Sequence, residues 1–283
     1  MTIEVFDDRA CTLGEGPLWH PTRQQLFWFD IVGKRLLTRT EDGPQEWQFD
    51  RHVSAAGWVD HDRLLIASDV DLFVFDLIEE TETYLAPLEV DNPVTRCNDG
   101  RADPQGGFWI GTMGLNAEAG AGALYRYYRG EVRLLRDKVT IPNATCFSPD
   151  GRFAYFADTA KNRVWRYGLD AEGWPEAKPD LFLDHRDTGL NPDGAVVDAK
   201  GNFWCAEWGA SRVACYDPSG ELVEELTLPV PQPTCPSFGG GHLYVTTALQ
   251  GLPDDAFDTA PQSGKTLRVA TAVQGQKEHR VIL

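Results

Sequence analysis

Short runs of apolar and aromatic residues, each bounded by Gly, Pro, Asp or Asn, recur along the whole chain. This is the pattern of short strands joined by tight turns. Six runs stand out, at 26–30, 63–68, 107–112, 152–158, 202–207 and 242–247. Aligned on Trp28, Leu65, Trp109, Tyr155, Trp204 and Tyr244, they are spaced by 37, 44, 46, 49 and 40 residues. That period is close to the ~40 to 50 residues of a propeller blade. Each run is preceded by a segment rich in small residues and followed by an alternating strand, as at 35–39, 72–76, 123–128, 163–167, 212–216 and 266–270. A fourth strand follows in most units, for example at 45–49, 82–86, 131–136 and 222–228. No long segment sustains a 3.6-residue apolar period, so helix is expected to be nearly absent. Four strands repeated six times predict an all-β chain, one six-bladed β-propeller domain over residues 1–283, whose radial repetition leaves only short, protected edges. Residues 2–6 are expected to pair with 280–283 in the last blade and so close the ring, with 114–122 and 249–264 as surface loops.

In such a ring the first strand of each blade lines a central channel, so its entrance residues converge from six directions. Those residues here include Glu15, the segment 54–57, Asn98, Asn143, Asp193 and the segment 235–237. Asp193 stands between Pro192 and Gly194, at the mouth of an apolar run, and Asn98 and Asn143 occupy similar settings. Two carboxylates and two amides, all presenting oxygen, suit a hard divalent cation. The alternative for any single one is a turn residue that hydrogen-bonds its own backbone. Recurrence at equivalent blade positions favours convergence and predicts a divalent metal site in the channel.

Composition excludes several rival classes. The net charge of −17 would repel a phosphate backbone, and no apolar run reaches the ~18 to 20 residues of a membrane span. The first eight residues lack the basic flank and apolar core of a signal peptide, so neither nucleic acid nor membrane is an expected partner and cytoplasm is the expected compartment. The six cysteines include no Cys-x-x-Cys pair and read as reduced core residues. The histidines show no zinc-site spacing, and no Gly-x-Ser-x-Gly, phosphate-loop or dinucleotide motif occurs.

An ordered set of motifs resembles the gluconolactonase and regucalcin (senescence marker protein) family. It comprises Gly14-Glu15-Gly16-Pro17 with Trp19, Phe29-Asp30-Ile31, Arg96-Cys97-Asn98-Asp99-Gly100, Gly111-Thr112-Met113, Asn143 ahead of Ser148-Pro149-Asp150-Gly151, Pro192-Asp193-Gly194 and Phe238-Gly239-Gly240. The resemblance implies a hydrolase of carboxylic esters, a sugar lactonase of carbohydrate catabolism that uses one divalent cation (Ca, Zn, Mn, Mg or Fe). It also implies Glu15, Asn143 and Asp193 as metal ligands, Asp193 as general base, and Arg96 and Asn98 as contacts to the lactone. Animal members carry an acidic substrate contact in the loop after Gly-Thr-Met; this chain has Asn116 there, with Glu118 nearby. Trp58, Trp208 and Phe238 are further candidates for a wall against a sugar face, or else core. Two other functions suit the same residues: a calcium-binding regulatory protein without turnover, and a phosphotriesterase-like hydrolase on the same propeller.

Overall fold

The burial of each strand in the computed structural model, which describes residues 2–283, follows its distance from a common axis. In blade 1 the order from the axis outward is Gly14–His20, Gln25–Asp30, Arg35–Thr40 and Gly43–Gln48, all antiparallel. The second strand has a neighbouring sheet on each face, so all six of its residues are buried and it reads QLFWFD without polar alternation. The fourth strand, GPQEWQ, is mostly exposed and polar, which guards an unpaired edge. Six four-stranded sheets repeat this gradient. Their inner strands are Gly14–His20, Val53–Trp58, Thr95–Ala102, Pro142–Phe147, Asn191–Val197 and Pro233–Gly239, each packed on the next and the sixth on the first. The fold is the six-bladed β-propeller that the repeat predicts.

Packing between blades supplies the core. Phe27, Phe29, Phe49, Phe73 and Phe75 fill the seam between blades 1 and 2, where Phe49 and Phe75 meet edge to face at 5.5 Å. All six cysteines are buried and free. Among the described residues helix is confined to a 3₁₀ turn at Thr159–Lys161 and four residues at Ala256–Thr259. No helix is long and apolar enough to cross a membrane.

Ring closure differs in one respect from the expected pairing. The N-terminal strand Ile3–Asp7 does complete blade 6, but its partner is Thr266–Ala270, with Ile3 opposite Val269 and Val5 opposite Leu267. Residues 280–283 form no strand. Once Ile3–Asp7 occupies that edge, the tail's apolar residues find burial elsewhere. Val281 is wholly buried and sits where a side chain at Gly57 would otherwise project.

From Thr271 onward the tail runs across the channel. Gly275 bridges Asp198, and Gln276 Nε2 donates to the carbonyls of Phe147 at 2.8 Å and Val197 at 3.0 Å. Glu278 forms a buried ion pair with Arg101, and its carbonyl accepts from Trp58 Nε1 at 2.9 Å. The Val281 and Ile282 amides donate to Trp58 and Gly106. Trp58, Phe147 and Val197 are each the last residue of an inner strand. The tail therefore plugs the end of the channel where the inner strands finish.

Removing one member of a buried ion pair strands the other charge, at a cost of about 3 kcal/mol. Glu278→Ala is expected to lower unfolding free energy by about that amount in urea titration. The double variant Arg101→Met, Glu278→Leu is expected to recover most of it.

Candidate functional site

The opposite end of the channel, where the inner strands begin, is a cavity of about 440 Å³. Glu15, Arg96, Asn98, Asn143 and Asp193 all line it, although 178 residues separate the first from the last. A local device aims them inward. Every inner strand shifts register against its neighbour near its start: between Glu15 and Leu18, Val53 and Ala55, Cys97 and Gly100, Asn143 and Cys146, Pro192 and Ala195, and Pro233 and Cys235. Such bulges bend a strand and redirect its side chains. In blade 1 the bulge needs glycine: Gly16 has φ +56°, and a Cβ there would lie 2.3 Å from the Ser54 carbonyl oxygen. In blade 4 Ala144 accepts φ 57° directly after Asn143, a strain typical of functional positions.

A hydrogen-bond chain then fixes the amides. Arg96 Nη1 donates to Asn98 Oδ1 at 2.9 Å and to the Cys97 carbonyl at 2.9 Å. Asn98 Nδ2 donates to Asn143 Oδ1 at 3.0 Å and to the Pro142 carbonyl at 2.9 Å. Asn143 Nδ2 donates to Thr159 Oγ1 at 2.8 Å, and the Thr159 hydroxyl donates to the Pro192 carbonyl at 2.6 Å. With its nitrogen committed to Thr159, Asn143 keeps one lone pair of its oxygen free of protein partners.

The charges are less well balanced. Burial raises the Glu15 carboxyl to about 8, with the nearby Asp99 charge adding to the rise. Burial also raises Asp193 well above the usual carboxylate range, reinforced by Glu15 and Asp99. Asp99 is itself raised by burial, partly offset by the Thr145 N–H that it accepts at 2.6 Å. Burial lowers Arg96, while Glu15, Asp69 and Asp193 pull it the other way. Arg96 thus faces Glu15, Asp69 and Asp193, and Arg101, which also acts on Asp99, is already paired with Glu278, so positive charge is in deficit. Among the described residues no three His, Cys, Asp or Glu side chains form a metal cluster. The converging set is two carboxylates and one oriented amide, a donor set that fits a hard divalent cation.

Other expected contacts lie elsewhere. Asn116 is exposed, its Nδ2 donating to Glu118 at 2.9 Å, and the cavity wall at this loop is Met113 and Ala117. Of the three aromatics considered for a sugar face, Trp208 lines the cavity. Trp58 and Phe238 belong to the plugged end, against the tail. Thr159, Gln232 and Gln250 line the cavity without having been singled out from sequence; each lies in a turn or between strands, where polar residues are ordinary. A larger groove of about 700 Å³, between Phe6, Trp19 and Arg39, brings together no comparable oxygen set.

A family model described as the SMP-30/gluconolactonase/LRE-like region matches residues 13–249. The chain belongs to this family. It is 42% identical over 282 residues, 97% of this chain and 95% of the other, to a Rhizobium meliloti protein provisionally named a sugar lactone lactonase. It is 33% identical to the L-arabinolactonase of Azospirillum brasilense, over 98% of this chain and 94% of that one. Among solved structures, a calcium-binding protein, regucalcin, from Agrobacterium tumefaciens superposes with a TM-score of 0.96 at 39% identity, covering 99% and 97% of the two chains.

The raised Glu15 carboxyl has a consequence for stability. In metal-free protein it keeps its proton when folded up to about pH 8, whereas the unfolded chain releases it near 4.5. The native state then holds the extra proton, so stability is lost as pH rises from about 5 to 8. In chelator, Glu15→Gln and the parent are expected to show urea midpoints that agree near pH 4.5 and diverge above pH 6, the variant being the more stable at pH 8. A gap that does not widen with pH contradicts this.

Proposed function

We propose that this protein hydrolyses a sugar-acid lactone to the open-chain acid, using a divalent cation held by Glu15, Asn143 and Asp193. The observation that carries the reading is that Glu15, Asn143 and Asp193 line one cavity together with Arg96 and Asn98. The names of the family relatives support an ester substrate of this kind.

When bound, the cation supplies positive charge that polarises an ester carbonyl and stabilises oxyanion character in the transition state. The protein's own residues do the rest. Arg96, with Nη1 committed to the Cys97 and Asn98 oxygens, presents the remainder of its guanidinium to a substrate oxygen. Asn98 orients both Arg96 and Asn143, so that ligand and substrate contact move as one unit. Asp193, a carboxylate at the cavity whose proton affinity burial raises above the usual range in the metal-free protein, takes the proton of the attacking water. The water oxygen forms the new bond to the carbonyl carbon, the ring ester C–O bond breaks, and the departing ring oxygen takes up a proton to become a hydroxyl.

Glu15→Ala and Asp193→Ala are each expected to lower lactone kcat/KM by about a thousandfold or more, with the circular dichroism of the fold unchanged. Dialysis against chelator is expected to abolish turnover, and a divalent cation to restore it. The same cation at 100 times its Kd is expected to stabilise the parent by about 2.7 kcal/mol and to leave both variants unmoved. Hydrolysis that survives chelation overturns the mechanism; cation binding without turnover on any lactone favours a calcium-binding protein, as the Agrobacterium relative is described.

A further inference from the structure

The wall facing Arg96 carries a polar group that none of the steps above uses. Gln232 lies in the turn between the outer strand Leu222–Thr227 and the inner strand Pro233–Gly239, at the entrance of blade 6. Arg96 stands at the entrance of blade 3. In a ring of six these entrances are diametrically opposed, and both residues line the same cavity. Gln232 is only 8% exposed, and its Oε1 is buried without any hydrogen-bond partner among the described residues, so a hydroxyl in the cavity meets this amide through Nε2, or through Oε1 once the terminal amide rotates. A buried amide oxygen costs stability until something pairs with it.

The local structure also holds this amide in place. Gln232 is flanked by Pro231 and Pro233, whose rings fix φ on either side, and its carbonyl accepts the Ala248 N–H at 3.1 Å. Two residues on, Thr234 Oγ1 donates to the Gly14 carbonyl at 2.5 Å, which ties the turn to blade 1. The backbone cannot easily swing the side chain out to water. The cavity that it lines also includes Leu13, Trp208 and Gln250, and its one basic side chain is Arg96, from the opposite blade. An amide in such a wall has no charge with which to hold a carboxylate, sulfonate or phosphate, but it is suited to a hydroxyl. A hydroxyl both donates and accepts, so it pairs with whichever amide atom faces it.

We propose that Gln232 is a specificity-determining residue of this site: its side-chain amide pairs with a hydroxyl at the end of the substrate remote from Arg96, selecting a neutral polyhydroxylated lactone over its deoxy and anionic counterparts. This rests on the lactonase reading. The substrate then spans the channel, its reacting ester over Glu15, Asn143 and Asp193 and its hydroxylated end against blade 6.

Gln232→Leu keeps the side chain's approximate size and removes both amide atoms. The test compares kcat/KM of the metal-loaded parent and variant on a neutral aldonolactone, on the same lactone lacking its exocyclic hydroxyl, and on a lactone whose terminal carbon carries a carboxylate. For the hydroxylated lactone the variant is expected to lose about tenfold, chiefly through KM. For the deoxy lactone parent and variant are expected to be equal, and the carboxylated lactone is expected to be the poorest substrate of the parent. The variant's thermal midpoint is expected to hold or rise, since an unpaired oxygen has been removed; a merely structural Gln232 predicts a fall. An unchanged hydroxylated-to-deoxy ratio overturns the proposal while leaving the lactonase reading intact. A parent that turns over none of the three overturns that reading instead, and calorimetric binding of the same lactones then decides: weaker binding of the hydroxylated one alone in the variant sustains the role of Gln232, and equal binding ends it.

Discussion

All six inner strands run in the same sense along the axis, and the whole arrangement depends on that. A blade is a meander that starts at the centre, so the beginnings of six strands meet at one end of the channel and their ends meet at the other. A residue placed near the start of its strand thereby acquires neighbours that lie tens of residues away in sequence. The register shift near each start turns this coincidence of position into one of direction. Glu15, Asn98, Asn143 and Asp193 all sit at or beside such a shift, and two of the local conformations, at Gly16 and Ala144, lie in the left-handed region that regular strands avoid. The other end of the channel, freed of chemistry, is available for the tail to close.

Gathering carboxylates in a buried cavity is unfavourable. Burial disfavours ionisation of Glu15, Asp99 and Asp193 alike, Asp99 adds to the rise at Glu15, and both add to the rise at Asp193; the Arg96 guanidinium, and Arg101 at Asp99, do not offset this. The fold tolerates the site because its stability is generated elsewhere, in the seams between blades, where strands such as Gln25–Asp30 are buried on both faces. The seams are also closely packed, and that packing holds like charges near one another in the cavity. The relay from Arg96 to Thr159 holds the amides in turn, since a side-chain amide free to flip would present nitrogen to a metal as readily as oxygen.

The architecture was legible because burial on two faces leaves a mark in one dimension: a short unbroken aromatic run, repeated once per blade. The site was legible in part for a related reason, as carboxylates and amides at equivalent blade positions are too regular for independent turns. What could not be read was geometry set by partners across space. The bulges depend on how neighbouring strands pair, and nothing in Asn143-Ala144 announces a left-handed alanine. The tail route was missed because Val281 and Ile282 are apolar enough for a strand, and only the prior claim of Ile3–Asp7 on the blade edge sends them beneath the channel. In the loop after Gly114 the error of register is one residue: Ala117, with φ 56°, faces the cavity and Asn116 turns outward to Glu118. Gln232, between two prolines, looks like any turn residue until its oxygen is found buried and alone.

The two parts of the cavity consequently answer to different constraints. Its floor is built from inner strands, where side chains are set by bulges and seams and, from Arg96 to Asn143, by hydrogen bonds, so a substitution there disturbs several contacts together. Its walls come from the ends of second strands, at Met113 and Trp208, and from connections between strands, at Ala117, Gln232 and Gln250. Loops of this kind can change length and composition without loosening the blades. A scaffold so divided can keep one reaction at its floor while its walls exchange one substrate for another, and the residue that discriminates is then found where the wall is polar, buried and unpaired.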